Sequence, residues 1–297
     1  MAILQQVLGL FLLLLCGLVA MKAKWINKQG ITGLNTVVMK FSLPAQIFAK
    51  LQVEATSEMA VDLIHVFIIA AVSMLLFGLI AWIAFVSETP NRRTVLTGMA
   101  MFSNAGFMGF PVLTAAFGES NLIYGVIYVA VFNLICWSVG VMLFDRKSVN
   151  AKMMLTSPAL IASIAGVICF AADWKIPAFL TSTLNMMGDA TTPLAMFIVG
   201  SHLSSLKLAD LLDGKMLVVS AMRLLIFPLV AYGVLSLLGV SYMVNASITL
   251  LTAMPCGALI VVLAERYGGD AVMASKGVST STALSVVTIP LIMLIFA

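Results

Sequence analysis

Charge is what this chain has least of. Only 9% of its 297 residues are Asp, Glu, Lys or Arg, against about 25% in an ordinary soluble domain, so there is too little ionic surface for a water-exposed globule. Histidine is scarcer still, with His65 and His202 alone, and HExxH is absent. The cysteines Cys16, Cys136, Cys169 and Cys256 lie inside apolar segments and form no CxxC pair, so neither a disulfide framework nor a zinc site is expected. There is no phosphate-binding loop, so direct ATP drive is not expected. No paired-aspartate motif for prenyl transfer is present, and Gly188-Asp189 follows Met186 where an intramembrane aspartyl protease has glycine. An intramembrane enzyme is therefore a weak alternative, and no catalytic residue, metal or cofactor is expected. Nor is nucleic acid expected as a partner: the net charge of +4 comes from basic residues lying between apolar runs.

Those runs are what the chain has in quantity, for 62% of it is hydrophobic. A bilayer-crossing helix needs about 20 apolar residues. Ten spans fit, at about 3–21, 31–49, 63–86, 95–117, 122–144, 155–172, 179–203, 216–238, 244–263 and a last one ending at Ala297. The start, Met1-Ala2-Ile3-Leu4-Gln5-Gln6, has no basic n-region, and Lys22, Lys24 and Lys28 follow the apolar run instead. This predicts a retained first span rather than a cleaved signal peptide. The gaps after odd-numbered spans hold Lys22, Lys24, Lys28, Arg92, Arg93, Arg146, Lys147, Lys152, Lys207, Lys215, Arg266 and Lys276, whereas the alternate gaps hold only Lys50 and Lys175. Positive charge marks cytoplasmic loops. The expectation is a multi-pass protein of the plasma membrane (the inner membrane if bacterial) with both termini outside.

One span resists an unbroken helix. Ser103-Asn104-Ala105-Gly106-Phe107-Met108-Gly109-Phe110-Pro111 puts two glycines, an asparagine and a proline at membrane depth. Proline lacks an N–H and clashes with the carbonyl four residues back, but suits the first position of a helix. The pattern predicts a helix that unwinds near the midplane and restarts at Pro111. Such backbone survives only against protein or a wet cavity, and discontinuous helices are where secondary transporters bind substrate.

The chain also echoes itself. Five spans precede the basic midpoint and five follow, so the halves 1–150 and 151–297 have opposite orientation. Pro44 is followed by Phe48 in span two, and Pro193 by Phe197 in span seven. Spans four and nine each hold a proline, Pro111 and Pro255, and end on Phe117-Gly118 and Tyr267-Gly268. The expected architecture is all-α, with ten transmembrane helices in two inverted five-helix repeats and helices four and nine broken. Two half-helix N-termini would then face each other, each with roughly half a positive charge, making a site for an anion.

Candidate residues follow, each with an alternative role. Asn104 and Gly106 lie in the unwound stretch, where Asn104 either donates to a carboxylate or caps the first half-helix. Pro111 and Pro255 mark the restarts or are plain kinks. Cys256 is expected in the first turn after Pro255, wetted by the cavity and open to a polar maleimide. Asn133 reaches the same cavity or bonds a neighbouring helix. Arg223, several residues inside span eight, attracts the anion or snorkels to the surface. Asp189 is a costly intramembrane carboxylate suited to ion coupling, unless span seven starts later and leaves it at the interface. Asp62 and His65 sit near the outer start of span three, His65 as a proton carrier or a surface residue.

The stretch from Ser103 to Leu113 resembles the auxin efflux carrier family of permeases, with support from Leu43-Pro44-Ala45, Thr192 to Gly200, Arg223 to Pro228, and Met254-Pro255. The resemblance spans essentially the whole chain. It implies an NhaA-like fold with helices crossing at Pro111 and Pro255. It further implies a scaffold of helices 1, 2, 6 and 7, a transport unit of helices 3–5 and 8–10, and a homodimer. Family members include plant auxin exporters and bacterial permeases for malonate, malate and related acids. The long central loop of many plant members is missing, which favours the compact bacterial type. The function expected is a secondary transporter of a small organic anion working by alternating access; an anion channel is the alternative.

Overall fold

A computed structural model describes residues 2–54, 56–145, 156–206, 210–211 and 213–296. Arg146, Lys147, Lys152 and Lys207, part of the charge pattern above, lie outside them. The chain is helical. α1 is Ala2–Lys22, α2 Lys28–Val37, α3 Leu43–Lys50, α4 Ser57–Ala84, α5 Pro90–Met101, α6 Phe110–Phe117, α7 Leu122–Ile135 and α8 Val141–Phe144. α9 is Pro158–Ala171, α10 Ala178–Asp189, α11 Thr191–His202, α12 Gly214–Ala221, α13 Phe227–Leu237, α14 Tyr242–Thr252, α15 Leu259–Tyr267 and α16 Ala271–Met293. Among the described residues, four continuous helical runs are long and apolar enough to cross a membrane: Ser57–Ala84, Glu119–Phe144, Gly214–Leu237 and Ala271–Met293. Leu8–Lys22, Ala105–Phe117 and Pro158–Ala171 are shorter apolar helices.

Side-chain oxygens start several helices. Asn27, Thr56, Asp213, Ser241 and Asp270 each accept from a backbone N–H of the turn they open, satisfying donors that have no helical acceptor. The outward faces are apolar rather than polar. On α4, Val66, Ala70, Met74 and Phe77 are buried while Ile64, Phe67, Ile68, Leu75 and Leu79 face outward. A helix hydrophobic all round belongs in a core or a bilayer.

Three prolines widen the helix just before them. π-helical turns at Val38–Ser42, Ala105–Gly109 and Met222–Ile226 each end two residues short of Pro44, Pro111 or Pro228. Proline cannot donate to the carbonyl four residues back and its ring crowds it, and a π turn relieves both. Pro193 behaves differently: it lies in the first turn of α11, and the chain bends one step earlier, between Asp189 and Thr191.

α1 packs along α11 at backbone distance. A Cβ on Gly17 would fall 2.0 Å from the Phe197 carbonyl oxygen, and one on Gly200 would fall 1.8 Å from that of Leu14. Each helix contributes the glycine that admits the other, the usual device for close helix crossings without a hydrophobic driving force. Charges pair within two separate sets of turns. Lys215 bonds Glu88 at 2.7 Å and Lys276 bonds Asp210 at 3.1 Å, joining residues from the gaps that the sequence expectation puts after odd-numbered spans. Lys50 bonds Glu119 at 2.6 Å, and Lys175 reaches the Val53 carbonyl, joining residues at the ends of segments that the same expectation puts on the other side.

The two broken helices differ from the sequence expectation in where they restart. Helical structure resumes at Ala105, before Pro111. The second helix stops at Thr252 and resumes only at Leu259, so Pro255 lies inside the irregular segment rather than at the restart. The cause is pairing between the two segments. Asn104 N–H donates to the Pro255 carbonyl at 2.7 Å and Gly257 N–H to the Phe102 carbonyl at 2.8 Å. Ser103 and Cys256 thereby form an isolated antiparallel bridge. The N–H and carbonyl groups engaged across the crossing cannot also serve a helix ladder. Both broken helices do end as expected, on Gly118 at φ 84° and Gly268 at φ 79°, a region that glycine enters without steric cost.

Candidate functional site

A cavity of about 270 Å³ opens at this crossing. Ser103, Asn104, Gly106 and Phe107 line it from the first broken helix, and Gly257, Ala258 and Leu259 from the second. These are the beginnings of two half-helices, whose first N–H groups have no intrahelical acceptor. Both therefore present the positive end of a helix dipole to one space. Asn133, on α7, and Val129 one turn before it close another side. Apolar walls come from Met39, Leu43, Phe132 and Ile198, and Phe132 is held edge-on by Phe102, with ring centroids 5.5 Å apart.

The polar atoms here are short of partners. Ser103 Oγ is buried without a hydrogen-bond partner, a state that normally costs about 1–3 kcal/mol. Asn104 occupies the N-cap position of the turn after it, yet its side chain makes no capping bond; it is free for a ligand. Asn133 Nδ2 donates to the Val129 carbonyl at 2.8 Å, within its own helix. Gly106 leaves room, since a Cβ there would meet only Leu43 Cδ2, at 3.8 Å.

The remaining candidates lie off the cavity wall. Pro111 is buried in the second position of α6. Pro255 contributes its carbonyl to the crossing. Cys256 is fully buried, its N–H donating to Ser281 Oγ at 3.1 Å. It sits in the extended segment rather than in a first helical turn, because the bridge to Ser103 holds it there. Arg223 neither snorkels nor lines the cavity: it is fully buried and donates to four backbone carbonyls. Asp189 is exposed at the end of α10. Asp62 accepts from Ser241 Oγ at 2.9 Å and Tyr124 Oη at 3.3 Å, tying three helix ends together. His65 is exposed on α4.

Sequence reasoning passed over one wall. Ser275, Ser279 and Thr282 of α16 face the cavity, as do Asn35 and His202. The spacing 275, 279, 282 is one stripe of a helix, and that periodicity was the available signal.

Residues 2–155 and 147–293 match the profile of the family described as membrane transport protein. The chain belongs to this family. It is thus an integral, multi-pass membrane protein of the transporter family that the auxin efflux carrier motif indicates. An uncharacterized transporter of Methanothermobacter thermautotrophicus is 30% identical over 295 residues, covering 97% of this chain and 96% of its own. The uncharacterized transporter YfdV of Escherichia coli is 23% identical, over 96% of this chain and 95% of its own. A protein of Rhizobium meliloti named a putative malonate transporter is 22% identical, over 86% of this chain and 84% of its own.

Proposed function

We propose that this transporter carries a small organic anion, a mono- or dicarboxylate, through the crossing cavity by alternating access. The observation that carries the reading is the convergence of two half-helix N-termini with the unpartnered Ser103 Oγ and the free Asn104 side chain on one cavity of about 270 Å³. A carboxylate suits the half-helix N–H groups and the Asn104 amide N–H together, and the two positive helix ends disfavour a cation there. The volume is near the lower end of small-ligand sites, about 300–1,000 Å³, which suits a short acid. The name of the Rhizobium meliloti relative agrees with that class.

In this reading, ten helices form two inverted five-helix repeats, residues 1–150 and 151–297, and both termini lie outside. The reciprocal glycine contact of α1 with α11 suits a stiff scaffold, which α1, α2–α3, α9 and α10–α11 form in the proposal. The rest then moves against it, and two copies associate through their scaffolds.

The test is flux into liposomes holding the purified protein, with malonate and a series of mono- and dicarboxylates. Saturable uptake accelerated by substrate on the opposite side is expected, and unitary currents would instead mean a channel. Asn104→Ala should bind the preferred acid about tenfold more weakly, the scale of one charge-assisted hydrogen bond, while inserting normally. Unchanged affinity in that variant removes Asn104 from the site.

A further inference from the structure

Arg223 is the largest fully buried side chain among the described residues. It lies on the π-helical turn Met222–Ile226, which Pro228 forces open. Its Nε donates to the Met254 carbonyl at 3.3 Å, and one terminal nitrogen donates to Ala100 at 2.9 Å and Met101 at 3.3 Å. The other donates to Thr252 at 2.5 Å. Among the described residues no carboxylate pairs with it; the Tyr128 hydroxyl is its one side-chain hydrogen-bond partner.

The carbonyls belong to two helix ends. Ala100 and Met101 finish α5, and Thr252 finishes α14 with Met254 just beyond. Each C-terminus carries roughly half a negative charge, so the two together carry about one. A single guanidinium matches that charge, and its planar fork of five donors spans acceptors from two chain segments. Four carbonyl oxygens converging on one positive charge are the ligand set of a small hard cation, with a side chain in the cation's place.

We infer that Arg223 is a built-in cation: it fills a backbone-carbonyl cage at the crossing, where it does the work that a bound alkali ion would otherwise do. Two consequences follow. The first is structural: the cage holds the C-terminal ends of α5 and α14 together, just behind the Ser103–Cys256 bridge. The second rests on the anion reading above: Arg223 cancels the negative helix ends, so the positive ends of the two following half-helices act unopposed on the cavity. Arg223 is then a positioning residue that touches no substrate, and no exchangeable sodium is needed at this crossing.

The experiment empties the cage. Full-length Arg223→Ala is purified in detergent, and its thermal stability is measured with millimolar guanidinium chloride, sodium chloride or choline chloride. Arg223→Ala should melt below the wild type and regain stability saturably with guanidinium, less with sodium, and not with choline at equal ionic strength. The wild type should respond alike to all three. Rescue is read without substrate, so it stands or falls apart from the anion reading. Arg223→Gln keeps donors without the charge and covers the case in which the alanine variant does not fold. It should be less stable than the wild type, because buried carbonyls are left underpaired, and bind malonate about tenfold more weakly or worse, because the negative helix ends are no longer cancelled. A rescue equal in choline, a wild type stabilised by sodium, or an Arg223→Gln protein of wild-type stability would each overturn the proposal.

Discussion

The two broken helices meet at one point but are broken in different ways. In the first, the irregular stretch is short: α5 ends at Met101, and a wide π turn begins at Ala105. Its proline lies downstream, inside the restarted helix, and Gly106 has open space before it. In the second, six residues, 253–258, separate α14 from α15, and the proline is among them. There Gly257 is tight, since a Cβ would meet the Ser103 and Phe102 carbonyl oxygens at 3.1 and 3.3 Å. Both breaks present a half-helix beginning to the cavity, but the first adds the Asn104 side chain and open space at Gly106, while the second also supplies the backbone that braces the crossing. A proline in a membrane helix shows that the ladder fails nearby, but which residues leave it depends on what they pair with.

Glycine substitutions should separate the two breaks most sharply. Gly257→Ala pushes a methyl group against hydrogen-bonded backbone that cannot swing aside, and overpacking of this kind costs about 1–3 kcal/mol. It should lower the melting temperature and malonate binding together. Gly106→Ala should leave stability near the wild type and reduce binding alone, by narrowing the cavity. Equal loss of stability in both variants would erase the distinction.

Thiol labelling tests the same contrast over two residues. Cys256 is fully buried, whereas Ala258 is partly exposed and lines the cavity. A small polar maleimide should leave native Cys256 unmodified in the folded protein. Ala258→Cys, placed in a Cys256→Ser background, should react readily and be protected by saturating substrate. Mass spectrometry of the digested protein reads each site apart from the exposed Cys16, and modification of Cys256 at the rate of the introduced thiol would show that the second break opens to water.

The smallest expected effect lies at the far end of the first arm. Glu88, just ahead of α5, bonds Lys215, at the start of the helical run that carries Arg223. The Lys215 ammonium, with help from Arg92, holds the Glu88 carboxyl below the usual carboxylate range. A carboxylate whose pKa is depressed by folding adds stability at neutral pH and loses it as pH falls through the folded value. Melting temperature should therefore drop below about pH 4.5, and a little less steeply in Glu88→Gln. Since both groups border water, the difference should shrink in high salt. Identical pH profiles for the two proteins would mean that this tie does not matter.

What the sequence determined by itself is what local chemistry dictates. The scarcity of charge and the abundance of apolar residues require a membrane. The alternation of basic gaps leads to an expected sorting of the gaps into two sets, and the ion pairs Lys215–Glu88, Lys276–Asp210 and Lys50–Glu119 each join residues within one set. Glycines and prolines identify the two helices that break, and Asn104, Gly106 and Asn133 stand in the cavity wall because a polar or missing side chain at membrane depth needs such a place. The tertiary structure decided the rest. Where helices restart depends on the bridge between Ser103 and Cys256, from opposite halves of the chain, and no local propensity encodes a partner so distant. The same holds for Arg223. Its charge is legible in the sequence, but its fate turns on four carbonyls from α5, α14 and the segment after α14, and a carbonyl is common to every residue, so no side-chain pattern records it.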